Sequence, residues 1–256
     1  MIFDSHAHYN DSKFNDDQDA VLKSLKEANV GYVMNVADSM KSLRKVIKIA
    51  DKYPFVFASV GVHPEETGEL TDGDMDILLE YTRHPKVKAI GEIGLDYYWD
   101  SVERDVQKKW FARQIDLAKQ ANLPIIVHDR DAHGDTIDIL KGENARDVGG
   151  IVHCFSGNIE MARDVLNLGM YVGIGGTVTF KNARKIKEVA EYVPIESIVL
   201  ETDAPYLAPE PFRGKRNSSD LIKYVIEEIS KIKGLSQAEV EEITFKNAKQ
   251  VYRIEE

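Results

Sequence analysis

Eight short β-rich apolar runs recur along the chain, near residues 2–5, 31–37, 55–61, 87–92, 123–128, 150–155, 170–174 and 196–203, with helical patterns between them. That alternation constrains the fold most, because strand–helix–strand repeats build parallel sheets covered by helices. The runs at 123–128 and 196–203 are continuous rather than strictly alternating, as strands buried on both faces are. Residues 19–29 place Val21, Leu22, Leu25 and Ala28 on one helical stripe, and 103–121 does the same with Val106, Trp110, Ile115 and Leu117. Gly234 suits the end of one helix, and Ser236 with Glu239 reads as the capping box of the next. Eight strands separated by helices in 256 residues predict an α/β fold, a (β/α)8 TIM-type barrel, with residues 218–256 as helices closing it. A doubly wound open sheet competes, but usually carries fewer strands at this length, and its dinucleotide-binding glycine fingerprint is missing. No repeat or linker divides the chain, so one domain over 1–256 is expected.

Composition narrows the class further. Hydrophobic residues make up 43% and charged residues 30%, enough for a globular core. One cysteine makes neither an internal disulfide nor a Cys-rich zinc site. The chain shows no signal-peptide pattern and no run near the ~18 apolar residues of a membrane span, so a cytoplasmic protein is expected. A net charge of −10 argues against a broad basic face that coats nucleic acid. It leaves room for a site that grips a chain end, since bound cations reverse the local field.

The histidines fall in a pattern. Of seven, His6, His8, His63, His128 and His153 lie at or just past the C-terminal ends of expected strands, as do Glu92 and Asp203. In a barrel those ends meet at one mouth, where active sites lie. His6 and His8 are two apart, so a strand projects both imidazoles to one face. Neutral imidazoles ligate zinc and similar ions. Any one of these residues alone reads as a solvated strand end or a satisfied core histidine. Together, His6, His8, Glu92, His128, His153 and Asp203 make a metal-ligand set. Glu92 has two oxygens, enough to join two cations ~3.5–4 Å apart.

Other residues fill out the mouth. His63 is expected to contact substrate, since six ligands suffice for two metals. Alternation puts Glu201 on the face of Asp203, behind the ligands, where a buried carboxylate needs a partner; Arg130 is a candidate. His84 and His133 are off the strand ends and expected to be solvated. Cys154 should point away from His153 as a small buried hydrophobe. The loop from Tyr206 to Asn217 carries Arg213, Lys215 and Arg216 in an otherwise acidic chain. Arginine forks bind phosphate, and Tyr206 or Phe212 can stack on a base. A solvated basic turn is the plainer reading, but a loop after strand eight is a usual phosphate site in barrels.

These motifs together resemble the TatD family of metal-dependent deoxyribonucleases, within the amidohydrolase-like barrels. The matching pieces are Asp4-Ser-His-Ala-His8, Gly61-Val-His-Pro64, Gly91-Glu-Ile-Gly-Leu-Asp96, His128, His153-Cys-Phe-Ser-Gly157, Glu201-Thr-Asp-Ala-Pro-Tyr206 and Arg213-Gly-Lys-Arg-Asn217. The resemblance implies a two-metal barrel, with His6, His8 and Asp203 around one metal, His128 and His153 around the other, and Glu92 between. Where wider relatives bridge with a carboxylated lysine, Glu92 points to the TatD branch. The pattern departs at Ser218-Ser219, where the family motif continues Glu-Pro; Ser218 is placed to cap the next helix.

The expected activity is exonuclease-like hydrolysis of phosphodiester bonds in DNA ends or short single-stranded nucleic acid. Two divalent ions (zinc, manganese or magnesium) would activate water, and Asp203 would serve as ligand and general base. No membrane and no obligate protein partner are expected. A small-molecule amidohydrolase or esterase on the same metal site, and a non-catalytic metal-binding protein, are the alternatives.

Overall fold

The computed structural model describes residues 1–99 and 101–255. Its eight strands are β1 (Ile2–Ala7), β2 (Val30–Val36), β3 (Val56–Val60), β4 (Val87–Asp96), β5 (Ile125–Arg130), β6 (Gly150–Val152), β7 (Tyr171–Ile174) and β8 (Ile198–Leu200). They pair in sequence order, and every pairing is parallel. This is the (β/α)8 barrel. It closes where β1 meets the chain just past β8, by Asp203 N–H to the His6 carbonyl at 2.9 Å and His8 N–H to the Ala204 carbonyl at 2.6 Å.

The barrel interior is packed, not hollow. Phe3, Met34, Phe57, Ile126, Ile151 and Val199 project inward as one buried cluster. The last helix (Gln237–Val251) and its C-cap Tyr252 seal this end, adding Ala248, Val251 and Tyr252 to the cluster. The expected capping box opens it, with Glu239 N–H to Ser236 Oγ at 3.2 Å and Ser236 N–H to Glu239 Oε2 at 2.8 Å. The preceding helix (Ile222–Lys233) ends at Gly234, whose φ of 65° is the left-handed conformation that stops a helix. The 103–121 stripe forms a helix over Arg104–Ala121. The 19–29 pattern breaks into a helix over Gln18–Ser24 and a tighter turn over Leu25–Ala28.

Two irregularities in the strands aim the site. Alternation carried on from Phe3 would send Ser5 and Ala7 inward, leaving His6 and His8 outside. The register shift in β1 between Asp4 and Ala7 turns the histidines in instead. Ile90 and Ile93 both pack in the outer core, so strict alternation fails in β4 as well; the shift between them faces Glu92 inward.

Three of the expected strand ends move by three residues or more. β4 runs on to Asp96, four residues beyond the expected 92. β6 stops at Val152, and Cys154 adopts φ 42°, so strand parity does not govern its direction. β8 stops at Leu200, and Asp203 adopts φ 56°. Asp203 therefore reaches the mouth by a left-handed turn rather than as a strand residue.

Tyr252 ties the closing helix to the barrel, with its ring 5.7 Å from Phe3 and its hydroxyl donating to the Ser5 carbonyl at 2.7 Å. Denaturant melts should show Tyr252→Ala losing about 3–5 kcal/mol and Tyr252→Phe about 1 kcal/mol. An Ala variant as stable as the parent would mean that the helix end does not close the core.

Candidate metal centre

Six donors converge at the C-terminal mouth of the strands. Glu92 is at the centre, 3% exposed, and its two oxygens face different partners. Oε2 lies 3.3 Å from His6 Nε2 and 3.4 Å from His8 Nε2. Oε1 lies 2.7 Å from His153 Nε2 and 2.9 Å from His128 Nδ1. Asp203 Oδ1 completes the first group, 3.4 Å from His8 Nε2 and 3.7 Å from His6 Nε2. The sequence-predicted ligand set is thus brought together in two clusters that share Glu92.

The far side of each ring determines what the near side offers. His8 Nδ1 donates to the Val36 carbonyl at 3.1 Å, and His128 Nε2 to Asp96 Oδ2 at 2.9 Å. Once it gives up the proton on its near nitrogen, each ring points a lone pair into the centre, as metal-ligating imidazoles do. His6 Nε2 and His8 Nε2 stand only 3.0 Å apart. Two lone pairs at that distance repel unless a proton or a cation sits between them. This nitrogen-and-carboxylate donor set, packed in buried surroundings, fits divalent cations such as zinc or manganese.

Electrostatics agree with a cation site. Burial alone would raise the Glu92 pKa, but the His153 and His6 imidazoles outweigh it and hold the carboxyl well below its usual range. Asp203 is likewise pushed up by burial and pulled further down by His8 and His6. Burial lowers His8, yet its hydrogen bonds to Asp203 and Glu92 win and raise it to about 10. Two anionic carboxylates this buried need positive charge beside them. Without metal, His8 and its neighbours supply it as protons; metal binding would displace those protons.

The remaining predicted residues divide. His63 lines the cavity, with its Nε2 3.8 Å from Glu92 Oε1 and its ring 4.3 Å from that of His128. Its Nδ1 accepts the Glu65 N–H at 3.3 Å, so the neutral ring carries its proton on Nε2, facing the cavity. Burial pushes its pKa down to about 3, which keeps it neutral. Tyr206 lines the cavity too, and its hydroxyl donates to Asp11 Oδ2 at 2.7 Å.

Glu201 lies behind His153 as expected, but Arg130 is not its partner. Its Oε1 accepts the Cys154 N–H at 2.5 Å and lies 3.7 Å from His153 Nδ1. Its Oε2 packs against Gly173, where a Cβ would come within 2.5 Å, so only glycine leaves room for this carboxylate. Arg130 instead lines the cavity, stacked on Tyr98. Arg213 is exposed and lies over the Phe180 ring, 4.4 Å away; it is not among the residues lining the cavity. Arg216 is engaged with Asp17 at 2.6 Å. Cys154 is only half-buried and faces the cavity, because its left-handed backbone turns it there. His84 and His133 are partnered rather than simply solvated, by Asp51 and Asp129 respectively.

Two acidic residues behind the site carry roles that the sequence reading did not assign. Asp96 holds His128, as above. Asp4, fully buried, accepts from Thr202 Oγ1 at 2.6 Å and Ser219 Oγ at 2.6 Å, locking β1 to the loop that carries Asp203. Burial raises it to about 7, against the pull of those hydrogen bonds. Ser218 does not cap the helix: its hydroxyl turns to the Asp220 carboxylate, and Ser219 is the serine with a structural role. Asp96 has a sequence signal in hindsight, since it is four residues from Glu92, at the same parity, on an unusually long strand.

The mouth opens into a cavity of about 770 Å³, large enough for a nucleotide. With this geometry, the chain matches the family model for TatD related DNase over residues 3–253. The chain belongs to the TatD family. Its relatives are metal-dependent hydrolases by name: Bacillus subtilis YabD is 43% identical over 99% of this chain and all of its own length. Mycobacterium tuberculosis TatD is 38% identical over 98% of this chain and 97% of its own. The crystal structure of the Escherichia coli TatD homologue YjjV superposes with a TM-score of 0.93 at 29% identity, covering 99% of this chain and 98% of that one.

Because Asp96 orients His128 within this TatD site, Asp96→Asn should weaken binding of manganese or zinc about 10- to 100-fold. Calorimetric titration of the chelator-stripped protein measures this. Unchanged affinity would leave Asp96 no part in holding the metal.

Proposed function

We propose that this TatD-family hydrolase is a deoxyribonuclease that hydrolyses phosphodiester bonds at the ends of short single-stranded DNA, with two divalent cations held by the two clusters. The observation that carries the reading is the division of labour in Glu92, one oxygen toward His6 and His8 and the other toward His128 and His153. A carboxylate so shared spaces two cation sites. That arrangement suits in-line displacement at phosphorus.

Cations bound there would supply Lewis acidity and bring the pKa of water toward ~7. The side chains do the rest. Asp203, kept anionic by its imidazole neighbours, takes the proton of the attacking water at Oδ1 or Oδ2. His63 presents its Nε2–H to a phosphate oxygen. Among the described residues lining the cavity, Arg130 is the only arginine or lysine, so it takes the charge-neutralising role that the sequence suggested for Arg213. Glu201 and Asp96 orient His153 and His128.

A second reading has one observation in its favour. The cavity wall also carries Asp11, Asp38, Glu65 and Glu66, and Arg213 is outside it. Such a mouth also suits an uncharged small molecule, such as a lactone or cyclic amide. A panel of phosphodiester, ester and amide substrates distinguishes the two readings.

An end-labelled single-stranded oligonucleotide should be cut only when magnesium, manganese or zinc is present. Asp203→Asn should slow the cut about 10²- to 10⁴-fold while leaving the fold unchanged by circular dichroism. A fully active variant would remove Asp203 from the chemistry. With few phosphate contacts, the dependence of log KM on log salt should be shallow, well below the slope that ~6–10 contacts produce. A slope that steep would mean that a basic surface elsewhere carries the strand.

A further inference from the structure

Beside the metal centre, Tyr98 and Trp99 project from the end of β4, 54% and 50% exposed. Their rings meet edge to face, with centroids 4.8 Å apart. The Arg130 guanidinium lies 3.9 Å over the Tyr98 ring and 5.7 Å from that of Trp99. The Arg130 guanidinium has no hydrogen-bond or ion-pair partner among the described residues, and Arg130 lines the cavity. Large aromatics this exposed, against an arginine with its donors open, form a surface without an internal use.

The platform is not loosely attached. Asp96 Oδ1 accepts the Tyr98 N–H at 2.9 Å and the Trp99 N–H at 3.2 Å. Its other oxygen holds His128 Nε2 at 2.9 Å. One carboxylate therefore sets both a metal-facing imidazole and the turn that presents the aromatics. The Tyr97 N–H to the Arg130 carbonyl, at 2.9 Å, fixes the second side. A ligand lying on this platform is held at a set offset from the reacting centre.

We propose that this platform is a nucleotide subsite: a base of the single-stranded substrate stacks on Trp99, and Arg130 contacts the phosphate next to it. The chemistry is that of single-strand binders, in which aromatic faces take bases of any sequence and arginine takes the backbone. The inference rests on the nuclease reading and specifies how the strand is held.

The protein has two tryptophans, and Trp110 is buried at 3% exposure, so ligand-induced changes in emission report Trp99. The metal-loaded protein is titrated with a phosphorothioate oligothymidylate, which resists cleavage, and with an abasic oligomer of equal length. The base-bearing strand should quench emission and bind about 5- to 100-fold more tightly than the abasic one. By filter binding, Trp99→Ala should hold the two strands alike, and Trp99→Phe should keep most of the difference. Arg130→Gln should reduce the salt slope by about one for both strands. Equal wild-type affinity for the two strands overturns the base subsite, as does a full preference persisting in Trp99→Ala. An unchanged slope removes the phosphate contact from Arg130. Cleavage of the phosphodiester oligonucleotide is scored separately. A base preference without hydrolysis under any metal keeps the subsite and sinks the nuclease reading.

Discussion

A buried negative charge organises this protein. Glu92 is almost sealed from water, yet it stays ionised, because four imidazoles surround it. Burying such a carboxylate without compensation is costly. The fold meets that requirement by converging His6, His8, His128 and His153 from β1, β5 and the end of β6 on one point. The local register shifts in β1 and β4, the left-handed turn at Asp203 and the glycine at 173 all place donors or make room behind them. The barrel is a frame for one electrostatic knot.

Much of the frame was legible in the residues. A parallel strand buried on both faces has to be written as an apolar run, so eight such runs announced eight strands. Barrel geometry brings strand ends together, so polar residues at those ends announced the mouth. His6, His8, Glu92, His128, His153 and Asp203 needed nothing more to be gathered into one set. Strand parity pairs His6 with His8 correctly, although Phe3 sets the opposite phase; the register shift between Asp4 and Ala7 restores it.

What stayed illegible was side-chain direction beyond the strands. Periodicity stops where a strand stops, and Cys154 and Asp203 both lie past that point with positive φ. The pairing of Glu201 with Arg130 assumed that two residues near one mouth must meet. The carboxylate instead found the Cys154 amide and the Arg130 side chain found an aromatic ring. The charge of Arg213 and its place after strand eight suggest a phosphate contact, but a long loop is free to lay a guanidinium on Phe180. Asp96 passed without a role because its partner, the far nitrogen of His128, is 32 residues away in sequence.

The seam between the first strand and the last turn has a temporal meaning. Asp203 is held to His6 by a backbone hydrogen bond, and Asp4 locks to Thr202 and Ser219. The two halves of one donor cluster thus lie far apart in sequence, and the helix that seals the core comes after both. During synthesis the N-terminal histidines emerge long before their carboxylate partner. A chain cut before Asp203 would hold an incomplete donor set, so the whole stretch from β1 to that turn is a condition for assembling the centre.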